Sequence, residues 1–124
     1  LSTLHTTTSA ETVERVIDLF PPQFQSQIAS QLASVLRGVV SQQLLPKIDG
    51  GLIAAREIMI NNNAVANMIR QDKVEQIYST IESSGEDGMI TMNKAIDNLR
   101  KKGIISEATA HNRKRDLSTR AVYY

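Results

Sequence analysis

One stretch in the middle of the chain limits its fold more than any other. Val39-Val40-Ser41-Gln42-Gln43-Leu44-Leu45 reads as a strand, Pro46 and Asp49-Gly50-Gly51 supply a turn, and Leu52 to Ile60 reads as the returning strand. Ala54, Ala55 and Glu57 suit a helix as well, and the residues alone leave that second reading open. On both sides of this hairpin the apolar residues return at helical period. The expectation is an α+β domain, mostly helical, in which the hairpin needs a sheet to join.

Before the hairpin, Leu1 to Leu4 can finish a β-strand and Thr6, Thr7 and Thr8 form a polar turn. Thr8 and Glu11 have capping-box spacing, with a hydroxyl and a carboxylate able to satisfy free N–H groups at a helix start. Val13, Val16, Ile17 and Phe20 then form a stripe at helical period, and Pro21-Pro22 stops the helix. A second helix is expected with Phe24, Ile28, Leu32, Val35 and Leu36 on one side, ended by Gly38. After the hairpin, Asn61-Asn62-Asn63 can cap a helix carrying Val65, Met68 and Ile69. Val74, Ile77 and Ile81 mark another, closed by Ser83-Ser84-Gly85, and Asp87-Gly88 turns the chain. Thr91 caps a helix with Met92, Ala95, Ile96 and Leu99, Gly103 stops it, and Ser106 starts a last short helix that runs into Arg113-Lys114-Arg115.

Composition excludes several classes of function. The 124 residues suffice for one modest core, and 41% hydrophobic residues mark a globular chain. Aromatics make up only 4%, so that core is aliphatic. A net charge of +1 gives no broad electrostatic grip on nucleic acid. No cysteine is present, which removes disulfides and thiolate metal sites and suits a reducing compartment. No apolar run is long enough for membrane insertion. The opening Leu-Ser-Thr-Leu-His reads as the second half of a strand, as expected for a piece of a longer protein.

Searched for chemistry, the sequence holds no G-x-x-x-x-G-K-[ST] phosphate loop. His5 and His111 are its only histidines, so no multi-histidine zinc site is available and no metal site is expected. Glu11, Glu14 and Asp18 at helical spacing read as a solvated face rather than an acid–base pair. Arg113-Lys114-Arg115 is too short for a basic patch and reads as a solvated tail. His5 stands where a strand gives way to a Thr-rich turn and a helix start, where N–H groups and hydroxyls suit a phosphate oxygen. Spacing alone favours a structural role for it.

Several segments, taken in order, resemble one family. Leu4-His5-Thr6-Thr7-Thr8-Ser9-Ala10 is similar to the His box of the type II/type IV secretion ATPases, and Thr12 to Pro21 resembles the helix after that box in PilT-like proteins. Leu36-Arg37-Gly38-Val39-Val40-Ser41-Gln42-Gln43-Leu44-Leu45-Pro46 and Ala54-Ala55-Arg56-Glu57-Ile58-Met59-Ile60 have counterparts there. PilT-like proteins also carry a surface motif, A-I-R-N-L-I-R-E-G-K. Here it reads Ala64-Val65-Ala66-Asn67-Met68-Ile69-Arg70-Gln71-Asp72-Lys73, and Ala64, Asn67, Ile69, Arg70 and Lys73 match. Val65 and Met68 are apolar replacements, Ala66 loses an Arg and Gln71 loses a carboxylate. The resemblance covers roughly residues 1 to 108, counting the run from Gly88 through Leu99, Gly103 and Ser106.

The resemblance implies a motor that retracts type IV pili in twitching motility. Such motors join a PAS-like domain to a RecA-like P-loop NTPase domain, in a ring of six subunits. This chain would hold the end of the RecA-like core over residues 1–60, a C-terminal helical subdomain over 61–112 and a tail over 113–124. ATP and Mg²⁺ would belong to the full-length parent, with no cofactor for this piece and no complete catalytic set within it. His5 would sense the γ-phosphate, Thr6 and Thr7 would position its turn, and Arg37 would contact a neighbouring subunit or form a surface ion pair. Asn67 and Arg70 would couple ATP turnover to the pilus machinery. The implied partners are the other subunits of a homohexamer and an inner-membrane pilus platform protein, with the motor peripheral on the cytoplasmic face of the bacterial inner membrane. Two alternatives stand beside it: a pilus-extension or type II secretion ATPase, and a stand-alone, non-enzymatic interaction module.

Overall fold

The hairpin exists as expected in the computed structural model of the chain, which describes Leu4, Thr6 and residues 8–114. Strands β1 (Gly38–Pro46) and β2 (Leu52–Ile60) pair antiparallel, with Gly38 opposite Ile60 and Pro46 opposite Leu52. The strand reading of Leu52 to Ile60 prevails over the helical one because every second residue, Ala55, Glu57 and Met59, is buried. Gly50 and Gly51 take φ of +100° and +77°, which permits the tight turn closed by Lys47 N–H donating to the Gly51 carbonyl at 3.0 Å. On the other edge of β2, Ile58 and Ile90 exchange backbone hydrogen bonds of 2.9 and 3.1 Å. The strand expected over 1–4 lies outside the described residues apart from Leu4.

Helices cover the hairpin: α1 (Ser9–Asp18), α2 (Pro22–Val35), α3 (Asn63–Arg70), α4 (Ile77–Ser83), α5 (Met92–Lys101) and α6 (Glu107–Arg113). The fold is α+β and mostly helical. Its helix starts follow local chemistry. Thr8, Asn62, Thr91 and Ser106 each accept a hydrogen bond from the N–H three residues on. Pro22 opens α2 at a position where its missing N–H costs nothing.

Two expectations fail here. The buried face of α2 is Ala29 and Ala33, with Leu32 and Leu36 partly buried, whereas Phe24 and Val35 are 49% and 71% exposed. Small side chains let α2 lie close on α3, its main neighbour, so packing distance selects alanines over the larger apolar stripe. Gly38 does not end α2 either. That helix stops at Val35, and Gly38 is the first residue of β1, where an added Cβ would stand 2.8 Å from the Met59 carbonyl oxygen. The glycine is needed for close approach of two strands.

Two apolar clusters share β2. Met59 joins Val13, Val65, Ile69, Ile77 and Ile81 beneath α1–α4, and Ala55 joins Leu45, Met92, Ile96 and Ile105 beneath α5 and α6. Each buried isoleucine contributes about 1.5–3 kcal/mol relative to an exposed one. Between Ala55 and Met59 on the same inward face stands Glu57, 1% exposed.

Candidate functional site

The start of α1 is held first by hydrogen bonds within its own turn. Thr8 Oγ1 accepts from Glu11 N–H at 3.2 Å, and the Thr8 carbonyl accepts from Thr12 N–H at 3.1 Å and Thr12 Oγ1 at 3.0 Å. Thr12 thereby spends its hydroxyl hydrogen, so the half-buried Thr6 hydroxyl is the donor in its own contact with Thr12 Oγ1. His5 and Thr7 lie outside the described residues. Sequence reasoning had N–H groups converging here for a phosphate, but the Glu11 donor is taken by Thr8 and the Ser9 donor by a carboxylate.

That carboxylate is Glu57. Its Oε2 accepts from Ser9 N–H at 2.6 Å and its Oε1 from Met92 N–H at 3.1 Å. Ser9 and Met92 are the first residues of α1 and α5, so one buried side chain receives the N–H groups and positive dipole ends of two helices. Tyr78, buried beside Thr91, has its phenol pushed above the ordinary range by burial, with the Glu57 charge adding to the effect. Sequence reasoning missed Glu57. The available signal was a charge at an inward position of the alternation Ile53, Ala55, Glu57, Met59.

The surface motif forms α3 and the turn after it. Val65 and Ile69 are buried and Met68 is partly so, while Ala64, Asn67, Arg70 and Lys73 are exposed. Arg70 Nη1 donates to Asn67 Oδ1 at 3.1 Å, so these two motif residues form one polar unit. Ala66, where the motif has Arg, is buried in the first cluster. Asp72, where the motif has Gly, sits at φ +57°. Its N–H donates to the Ile69 carbonyl at 3.4 Å and Lys73 N–H to the Met68 carbonyl at 2.8 Å, the paired bonds of a Schellman ending.

The acidic face of α1 points toward this ending. Glu14 has its carboxyl raised above the ordinary range by partial burial, then by repulsion from Asp18, Glu75, Asp72 and Glu11. It is therefore less fully solvated than its spacing implied. Arg37 is exposed, and among the described residues its guanidinium has no hydrogen-bond or ion-pair partner; its carbonyl accepts from Asn61 N–H at 3.0 Å. In the basic stretch, Arg113 ends α6 and Lys114 Nζ reaches Asp97 Oδ1 at 3.0 Å, while Arg115 lies outside the described residues. Among the described residues no group of three acidic or histidine side chains is placed to hold a metal ion, and no helix is long and apolar enough to cross a membrane.

Comparison with known proteins gives this arrangement a context. No family profile matches the chain. The type IV pilus retraction ATPase PilT of Pseudomonas aeruginosa is 44% identical over 111 residues, covering 90% of this chain and 32% of that protein. A twitching motility protein of Neisseria gonorrhoeae is 40% identical over 112 residues, covering 90% of this chain and 30% of the relative. The chain thus spans about a third of the length of these relatives. Among solved structures, the pilus retraction motor PilT with bound ADP superposes with a TM-score of 0.80 at 39% identity, over 94% of this chain and 32% of that one. The ATPase DotB of Legionella pneumophila has a TM-score of 0.71 at 23% identity, over 89% of this chain and 30% of its own, a likeness of fold alone. Across nearly all of its length the chain is homologous to the PilT-type pilus ATPases.

Proposed function

We propose that this chain is the C-terminal portion of a hexameric ATPase that powers type IV pilus retraction and twitching motility, and that it is inactive alone. The observation that carries this reading is the superposition on the ADP-bound retraction motor over nearly the whole chain. Residues 1–60 close the RecA-like core, 61–112 form the C-terminal helical subdomain and 113–124 the tail. The motor works at the cytoplasmic face of the inner membrane on a pilus platform protein, in a ring with copies of itself that Arg37 contacts.

ATP with Mg²⁺ supplies the hydrolysis that drives such a motor. The sequence has no phosphate loop, and the donors of Thr6, Ser9 and Glu11 are already spent within the chain. These residues do not form a nucleotide cradle. Their part is to fix the turn leading into α1, which leaves the His5 side chain to sense the γ-phosphate with Thr6 and Thr7 as its support. The Asn67–Arg70 unit, with Ala64, Ile69 and Lys73 on the same motif, couples turnover to the pilus machinery.

The test is ATP turnover of the full-length protein carrying His5→Ala. Loss of one hydrogen bond to a charged phosphate predicts a fall of about tenfold. Unchanged turnover returns His5 to a structural role and removes this chain from the nucleotide site. The companion variant Arg70→Ala separates the two ends of the mechanism: it diminishes pilus retraction more than ATP turnover, and equal losses would assign Arg70 to support of the catalytic fold.

A further inference from the structure

We propose that Glu57 is a positioning residue that transmits nucleotide occupancy at the start of α1 to the start of α5; this rests on the nucleotide-sensing role given to the segment before α1.

A buried carboxylate is costly unless its oxygens are matched, and an apolar side chain of similar size is often neutral or stabilising in its place. The neighbours on the same inward face, Ala55 and Met59, show that this strand accepts apolar residues on either side. What an apolar residue cannot do is hold two helix starts at once. Glu57 gives one oxygen to Ser9 N–H and the other to Met92 N–H, so a displacement of either helix start is felt by the other through a rigid, planar group. Both helices are ten residues long, and each has its own threonine cap directly before the bonded residue. The carboxylate is therefore not required to start either helix. It sits on β2 between the two apolar clusters, where it links the starts of two helices that pack on different clusters.

A second observation favours a moving joint over a fixed one. Ser41 is the cross-strand partner of Glu57 on the same buried face, and its hydroxyl has no hydrogen-bond partner among the described residues. Directly opposed residues have Cβ atoms about 5 Å apart. When α1 shifts and Ser9 N–H leaves, the Ser41 hydroxyl can donate to the freed oxygen, so the charge is not stranded.

Hydrogen exchange of the full-length protein, read at residues 9–11 and 92–94 with and without a non-hydrolysable ATP analogue and Mg²⁺, tests this. In the wild type the analogue is expected to slow exchange at both helix starts, by about fivefold at each, the weight of one hydrogen bond. In Glu57→Gln, whose amide can accept from only one of the two N–H groups, residues 9–11 still respond and 92–94 do not. Glu57→Asp keeps the charge but is too short to reach both donors, and is expected to behave as Glu57→Gln does. A response at 92–94 that survives either variant overturns the proposal. So does a wild-type response at 9–11 with none at 92–94, a result that needs no variant to fold. A wild type that responds at neither start overturns the nucleotide reading itself and the coupling with it.

Discussion

Helices α3 and α5 end in the same backbone motif. In α5, Gly103 N–H donates to the Arg100 carbonyl at 3.0 Å and Ile104 N–H to the Leu99 carbonyl at 3.0 Å, matching the two bonds that Asp72 and Lys73 make at the end of α3. The motif needs a left-handed residue, and α5 supplies Gly103 at φ +74° where α3 supplies Asp72 at φ +57°. A side chain there costs about 1–2 kcal/mol, less for Asp than for most residues. The surroundings differ in the same sense. Ile104 and Leu99 pack on the second cluster, whereas the equivalent of Ile104 at the end of α3 is the exposed Lys73. Beside the end of α3, Glu14 of α1 meets the like charges of Asp72 and Glu75, while Asp97 in α5 is paired with Arg100 and Lys114. One plan is thus finished well at α5 and at a cost at α3, the helix that carries the surface motif. The contrast assigns more of the hold on α3 to its buried face than to its end.

Ile69→Ala puts that conclusion to its hardest test. It empties a fully buried site in α3 and is expected to destabilise by about 2–5 kcal/mol in denaturant unfolding. A loss under about 1 kcal/mol would mean that the face does not hold the helix. Next in size is Gly103→Ala, which should cost about 1–2 kcal/mol because alanine must take the left-handed conformation. Asp72→Gly should act in the opposite direction, raising stability by up to about 1 kcal/mol, since the freedom of glycine in the unfolded chain offsets part of the relief. If Asp72→Gly lowers the melting temperature, the aspartate is serving a contact that backbone strain does not reveal.

The smallest effect expected is in the pH dependence, where the two regions should have opposite signs. Asp97 has its carboxyl lowered by the Lys114 hydrogen bond, opposed by slight burial and helped by the Lys114 and Arg100 charges. Its contribution is present above the ordinary aspartate value of 3.8 and is lost as pH falls through the lower folded value. Glu14 has its carboxyl raised, so its contribution is present below the ordinary 4.5 and is lost as pH rises through the higher folded value. At neutral pH, Asp97→Asn should therefore destabilise and Glu14→Gln stabilise, each by less than about 1 kcal/mol and less in high salt. The same sign for both would remove the electrostatic half of the contrast.

What could be read from the sequence was local. Thr8, Asn62, Thr91 and Ser106 announce helix starts because a cap and the N–H it serves lie three residues apart. The hairpin was readable because glycines mark its turn, and Gly103 marked the end of α5 for the same reason. Asp72 hid the matching end of α3, since aspartate carries no comparable signal for a left-handed turn. The face of α2 was misread because its neighbour demands small residues, and nothing in α2 itself records that. Glu57 escaped notice because both of its partners are distant in sequence. The candidate residues divided along the same line: the helix Asn63–Arg70 was legible from its cap and apolar residues, and the bonds of Glu57 to Ser9 and Met92 were not.

That distance also sets an order of events in folding. The β1–β2 hairpin closes over the short turn from Lys47 to Gly51, whereas Glu57 meets Ser9 across 48 residues and Met92 across 35. Long loops are closed after short ones, because their entropy must be given up before a contact repays it. The hairpin turn and the helix caps are local contacts, open to the chain while the carboxylate is still in water. Its two bonds then join pieces already made, so removing them speeds unfolding and leaves the folding rate nearly unchanged.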